Sequence, residues 1–399
     1  MSWNKTPSLY QLPRPVRIGQ QFGMARVGVT GLLLSVTVLS GAQAQPEATL
    51  AFLRAHFQFS ANDLRDLAQG RATVRSLDTT DGREIAIAGA VRVPIPPAEY
   101  IRQLRDIVGF KRHEAVKQIG TFSTPPRPSD AGGLTLDRDH LEDLRRCRPD
   151  DCDVQLSRAA IERLNSEIVW SIPGATAEAN RVVREILADQ VTRYLQAGDT
   201  ALMTYENDRH PIVVADEFRA MVDAPPALLR HFPALERHVA LFPRSRAPHA
   251  EDIVYWSKED VGPKVIISVT HMVIAPVSDG GPVLYAAASK QLYGSHYFDS
   301  SLGLTLLLRD SDPGSTVLVY VNRSRIDALS GFLGGLKRAI VRSRARSAMA
   351  DTLTRIRTRL PERAQTHQGS KVPGFQGSKV PRFQGSKVPR FQGSKVPKF

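Results

Sequence analysis

The sequence predicts an α+β fold in which an antiparallel sheet is closed by a long C-terminal helix and interrupted by a helical insertion. Three observations carry this. Five β-rich segments, at 252–257, 264–275, 283–297, 302–309 and 316–322, follow one another through connectors such as Gly262-Pro263, Asp279-Gly280-Gly281 and Asp312-Pro313-Gly314. Such connectors are too short for parallel crossovers and imply an antiparallel meander. From about Arg325 to Leu360 the apolar residues Leu329, Leu333, Leu336, Ile340, Met349, Leu353, Ile356 and Leu360 recur mostly at three- or four-residue steps, the stripe of an amphipathic helix. Further upstream, strands at 72–77 and 84–93 flank Thr79-Thr80-Asp81-Gly82, a hairpin-type turn.

The N-terminal region reads as an export signal. Arg26 precedes an uncharged apolar run from Val27 to Leu39, and Ala42-Gln43-Ala44 supplies the small-residue pattern of a signal peptidase site. The run is too short to span a bilayer as a stable helix. Cleavage is therefore expected near Ala44, giving a periplasmic or secreted protein, with either Met1 or Met24 as the start. Three regions result: a signal and N-terminal extension at 1–44, a folded body at 45–367, and a tail at 368–399.

The tail is an octad repeated four times, QGSKVPGF, QGSKVPRF, QGSKVPRF and QGSKVPKF. A glycine and a proline in every unit oppose regular helix, and one Val and one Phe per unit leave little to bury, so disorder is expected. The formal net charge of +13 lives mostly in the two ends: residues 1–44 contribute +4 and residues 368–399 contribute +7, leaving +2 for the body. A nearly neutral body speaks against nucleic-acid recognition.

Within the body, short helices are expected at 47–57 and after Ser60, which suits an N-cap. Pro96-Pro97 opens a helix over 98–108, and a strand follows at 115–122. Residues 137–242 form the insertion: helices at 137–146, 158–168 and 176–196, a short strand at 202–206, and helical sequence at 214–242 broken by Pro225-Pro226 and Pro233. Cys147 and Cys152, in Cys-Arg-Pro-Asp-Asp-Cys, are the only cysteines. In an oxidising compartment this pair is expected to form a local disulfide; zinc would need two further ligands, and a redox motif would have two intervening residues rather than four.

Catalytic motifs are missing from the sequence: there is no HExxH, Walker loop, dinucleotide-binding GxGxxG or GxSxG, and nothing calls for a metal or cofactor. Two histidines, His271 in a strand and His296 beside Tyr293 and Tyr297, are placed to approach each other with Asp299 or Glu259 if adjacent strands pair, or to be hydrogen-bonded core residues. Arg323 and Arg325, near Asp327, suit either an ion pair at the start of the last helix or an anionic ligand. The basic face of that helix suits either solvent or peripheral contact with an anionic membrane.

Taken together, strands 72–93, a helix introduced by VRVPIPPAEYIRQLRDI, a further strand, a five-strand antiparallel run and a long closing helix resemble the START-like helix-grip superfamily, over about 70–122 and 250–360. The resemblance implies a curved sheet wrapped on the last helix around an apolar cavity, in a family that mostly binds lipids and other hydrophobic molecules. Trp256, His271, Tyr293, His296, Tyr297, Arg323, Leu333 and Leu336 are the expected ligand-binding residues, with Tyr255, Ile267, Met272, Leu284, Leu306 and Val319 in the wider lining. Two functions stand: a non-catalytic carrier of a hydrophobic or lipid-like ligand, or an extracytoplasmic hydrolase using His271, His296 and nearby carboxylates.

Overall fold

A computed structural model of the chain describes residues 41–369 except 263, 327, 328 and 330–333, with the side chains of 41–46 and 367–369 left aside. The apolar run of the export signal, Asp327, Leu333 and nearly all of the repeat tail lie outside the described residues.

The fold is α+β, built on one open antiparallel sheet of eight strands with a helix at its C-terminal end. Its strands are β1 (Thr73–Leu77), β2 (Glu84–Val93), β3 (Val116–Thr121), β6 (Glu251–Glu259), β7 (Ile266–Pro276), β8 (Val283–Gly294), β9 (Ser300–Arg309) and β10 (Thr316–Arg325), in the order β1-β2-β10-β9-β8-β7-β6-β3. The expected meander β6 to β10 is present, and its two ends receive strands from far upstream. β2 pairs along its whole length with β10, and β3 pairs with β6. The chain between β2 and β3 forms α3 (Pro97–Arg105), which carries a proline in its first turn, and α4 (Ile107–Lys111), which Asp106 caps by accepting the Gly109 N–H.

Both faces of the sheet are covered. On one face lie α3, α4 and the 36-residue α10 (Gly334–Gly369), packed on Ile85, Ile87, Val91, Tyr255, Met272 and Leu318. Met349, Leu353 and Leu360 of α10 are buried, each contributing ~1.5–3 kcal/mol by leaving water. Gly89 of β2 permits this contact: a Cβ there would stand 2.6 Å from Leu353 Cδ1 and 3.0 Å from Met349 Cγ.

On the opposite face, α1 (Gly41–Phe57), α2 (Ala61–Ala68), α8 (Val214–Asp223) and α9 (Pro233–Leu241) pack on the alanines of β2 and the leucines of β9. Ser60 caps α2 in a reciprocal box with Asp63, as the sequence suggests. Further along this face, α5 (Arg138–Arg146), α6 (Arg158–Glu167) and α7 (Ala175–Ala197) pack on Val254, Trp256, Val269 and Leu292. β4 (Thr204–Tyr205) and β5 (Ile212–Val213) form a small separate ladder. The insertion is thus a second covering layer of the sheet. Cys147 and Cys152 are joined in a disulfide, and Asp150 and Cys152 donate backbone N–H bonds to the carbonyl oxygens of Glu206 and Asn207, tying the turn to the end of β4.

Several boundaries differ from expectation, among them the end of β8 at Gly294 and the break between α3 and α4. β10 runs through Arg325, so Asn322-Arg323-Ser324-Arg325 is strand and not a strand-to-helix junction. Correspondingly Ile326, after β10, is not helical, and the described part of α10 runs from Gly334.

Candidate functional site

Between the sheet and α3, α4 and α10 lies a cavity of about 260 Å³. Leu104, Ile107 and Phe110 form one wall, Met272 and Leu318 the sheet floor, and Ile356 and Leu360 of α10 the roof. An apolar enclosure with a few placed polar groups is the usual make-up of a small-molecule site. The polar groups here come from several separate elements. Lys111 ends α4, and its Nζ reaches Oε1 of Glu259, at the end of β6, over 2.6 Å. Ser257, two residues earlier on the same face of β6, donates its hydroxyl to the same oxygen at 2.6 Å. The ammonium also stands 5.3 Å from the centre of the Tyr255 ring. Protein atoms surround the pair, and the surface it retains, 26% of the Lys111 side chain and 20% of Glu259, belongs to groups that line the cavity.

Burial works against both charges, and pairing overrides it. Desolvation pulls the Lys111 ammonium down, but the Glu259 carboxylate outweighs it and holds the pKa above the ordinary lysine value. Desolvation likewise pushes Glu259 up, and the charge and hydrogen bond of Lys111 hold it below the ordinary range. Burial raises the Tyr320 phenol against the opposing pull of Lys111, so it remains a neutral hydroxyl. Ser289 and Thr305 add two more hydroxyls to the floor. At the solvent side stand His113, Arg355 and Arg359. Burial, then the charge of Arg355, lowers the pKa of the His113 ring, whose Nδ1 accepts the Ala115 N–H at 3.2 Å.

A second polar centre lies on the other face. His238 and His271, both fully buried, each bring Nε2 to 2.8 Å from Asp252 Oδ1. His271 meets that oxygen in line, and its Nδ1 is 2.9 Å from the Tyr194 hydroxyl. His238 meets it off-axis. Desolvation pulls His271 below the ordinary histidine pKa, with Asp252 opposing. Asp252, which desolvation alone would raise, is held below the usual carboxylate range by the two rings. Lys290, cross-strand partner of His271, is paired with Asp199 beneath the Tyr194 and Phe218 rings, and burial pulls its pKa down to about 8.

Two imidazoles and a carboxylate with donor atoms within 4.8 Å of one another resemble a metal-binding set. The hydrogen bonding of His238 does not fit that role. Ala247 donates its N–H to His238 Nδ1 at 3.1 Å, so the ring proton of the neutral imidazole sits on Nε2, facing Asp252. A metal on Nε2 would shift that proton to Nδ1, against a second donor.

A third centre surrounds His296, which follows β8. Its Nδ1 is 2.8 Å from Ser295 Oγ and its Nε2 3.7 Å from Asp143, which also accepts from Lys264 at 2.7 Å. Burial, with His140 and Lys264 nearby, pulls its pKa down to about 4.

These positions correct the sequence-based expectations for the cavity. His271 and His296 do not converge: one is bonded to Asp252 and Tyr194, the other to Ser295. Trp256 points to the insertion face, where its indole lies across Gly120 and donates to the Asp130 carbonyl oxygen at 2.9 Å. Tyr293 packs in the same core against Tyr205. The Tyr297 hydroxyl accepts the Lys264 N–H at 2.9 Å. Arg323 is buried, donating to Glu84 at 2.7 Å and to the Pro226 carbonyl oxygen at 2.8 Å, so it is committed to the fold and not to a ligand. Leu336 is 62% exposed. Of the wider set, Tyr255 and Met272 do line the cavity, whereas Ile267, Leu306 and Val319 fill cores on the other face. Lys111, Arg355 and Arg359 were missed as site residues, and Glu259, expected beside the histidines, pairs with Lys111 instead. The charged run Phe110-Lys111-Arg112-His113-Glu114 after a helix was the available signal for the first of them.

No protein-family model, no curated protein and no solved structure matches this chain.

Proposed function

We propose that the protein is a non-catalytic, extracytoplasmic carrier that binds a hydrophobic, lipid-like molecule in the cavity between the sheet and α10. The observation that carries this is the cavity itself, a space of about 260 Å³ whose lining combines apolar residues such as Leu104, Met272 and Leu318 with the Lys111–Glu259 ion pair and two arginines. For scale, an apolar protein cavity of about 150 Å³ accepts benzene. The placement of β2 and β3 at opposite ends of the meander, with α3 and α4 between them in sequence and α10 on the same face, supports reading the domain as a helix grip. For the carrier over the hydrolase speak the engaged histidines: His271 is bonded at both ring nitrogens inside a covered face. Export is supported by the pattern ending at Ala42-Gln43-Ala44, and the Cys147–Cys152 disulfide agrees with an oxidising compartment.

The test is native mass spectrometry of the protein purified from an exported fraction without detergent. A bound organic molecule released on denaturation is the expected result. Protein that carries nothing, and whose thermal midpoint is unmoved by lipid extract, would overturn the carrier reading.

A further inference from the structure

The charges lining the cavity do not balance. Lys111, Arg355 and Arg359 are cations and Glu259 is the carboxylate. Lys111 and Glu259 neutralise each other at 2.6 Å. Arg359 donates to the carbonyl oxygens of Arg112 and, at 3.0 Å, of Gly109, and Arg355 donates to the Thr352 hydroxyl at 3.2 Å. Neither arginine has a carboxylate partner among the described residues. By contrast the next arginine along α10, Arg363, is paired with Asp106 at 2.8 Å.

Arg355 and Arg359 stand four residues apart, on one side of α10, beside the apolar residues Ile356 and Leu360. Their effect on each other is visible in Arg359, whose pKa is lowered by burial and then by Arg363, Arg355 and Arg112. Two half-buried guanidinium groups without a counter-charge repel each other. An anion placed between them relieves that repulsion and gains charge-assisted hydrogen bonds of the kind guanidinium groups make with carboxylates.

Resting on the cavity reading above, we propose that the ligand is an amphipathic organic carboxylate. Its apolar body lies against Leu104, Met272 and Leu318, and its carboxylate sits on Arg355 with Arg359 beside it. Arg355 is the specificity-determining residue, because among the described residues its side chain holds only Thr352, whereas Arg359 also ties α10 to α4.

Isothermal titration calorimetry with naphthoate and its near-isosteric neutral counterpart naphthamide separates charge from shape. Wild-type protein is expected to prefer naphthoate by about tenfold or more, the worth of one charge-assisted hydrogen bond. In Arg355→Gln that preference is lost while naphthamide binds as before; Arg344→Gln, on an exposed turn of the same helix, changes neither. Equal affinity of the two probes for wild type, or a naphthoate preference that survives in Arg355→Gln, would overturn the assignment. Ser289→Phe, which fills the cavity floor, tests the cavity separately and is expected to abolish both probes, with Met272→Phe as the second variant should the first not fold. Binding of naphthamide that disappears in the filled variant keeps the cavity reading even where the carboxylate assignment fails. Binding that survives filling sinks both.

Discussion

At the residue scale the buried histidines are the most sensitive groups, and their environments set opposite tests. His296 has a folded pKa of about 4, against an ordinary histidine value of 6.5. Between those two values the unfolded chain takes up a proton that the folded chain refuses, so stability is retained above pH ~6.5 and declines as pH falls toward 4. Up to about 3 kcal/mol is at stake, because each tenfold difference in proton affinity between the folded and unfolded chain is worth ~1.4 kcal/mol. Urea unfolding at pH 7 and pH 4.5 is expected to show His296→Asn losing less stability across the window than wild type. Asp252 is the opposite case, a carboxylate that two buried rings depend on. Asp252→Ala leaves His238 and His271 without their shared acceptor, and a loss of about 3 kcal/mol is expected in the same assay. Because His238 presents a protonated nitrogen to that carboxylate, zinc added to wild type should leave its thermal midpoint unchanged; a rise at equimolar metal would contradict the tautomer assigned from Ala247.

At the scale of elements, α10 is held on the sheet by the close approach at Gly89. Gly89→Val puts branched carbon where Leu353 and Met349 pack, so the helix must lift or the leucine must turn. A cost of ~1–3 kcal/mol is expected by denaturant titration, together with weakened probe binding, since α10 roofs the cavity. The elements themselves were largely legible in the sequence: the proline at the start of α3, Ser60 before α2 and the turn chemistry between β6 and β10 all mark features that the fold contains. What could not be read was which face each strand residue occupies. β2 reads Glu-Ile-Ala-Ile-Ala-Gly-Ala-Val-Arg-Val with nine of its ten residues buried, because helices cover both sides and the polar alternation that reveals a face is lost. Adjacent residues such as Tyr255 and Trp256 therefore both suited the cavity, and only one of them enters it. The ion pair of Lys111 with Glu259 was hidden for a different reason: its members are 148 residues apart, and no local periodicity brings them together.

For the whole molecule, the order of the strands has a consequence for how the chain matures. β2 is complete by Val93, yet one of its two neighbours in the sheet is β10, which ends at Arg325. The buried pair Glu84–Arg323 spans 239 residues, and the cost of closing so long a loop must be met before these contacts repay it. A chain ending at residue 315 is thus expected to show no cooperative thermal transition by near-UV circular dichroism, although it retains four strands of the meander. The wrap-around topology therefore acts as a timer. While the C-terminal fifth is still being synthesised, the early hairpin has no sheet to join and the roof of the cavity does not yet exist. Under the export proposed above, a chain that cannot finish folding before its last strand appears would stay threadable through a translocation pore for most of its synthesis, and the covered sheet would assemble only after β10 had crossed.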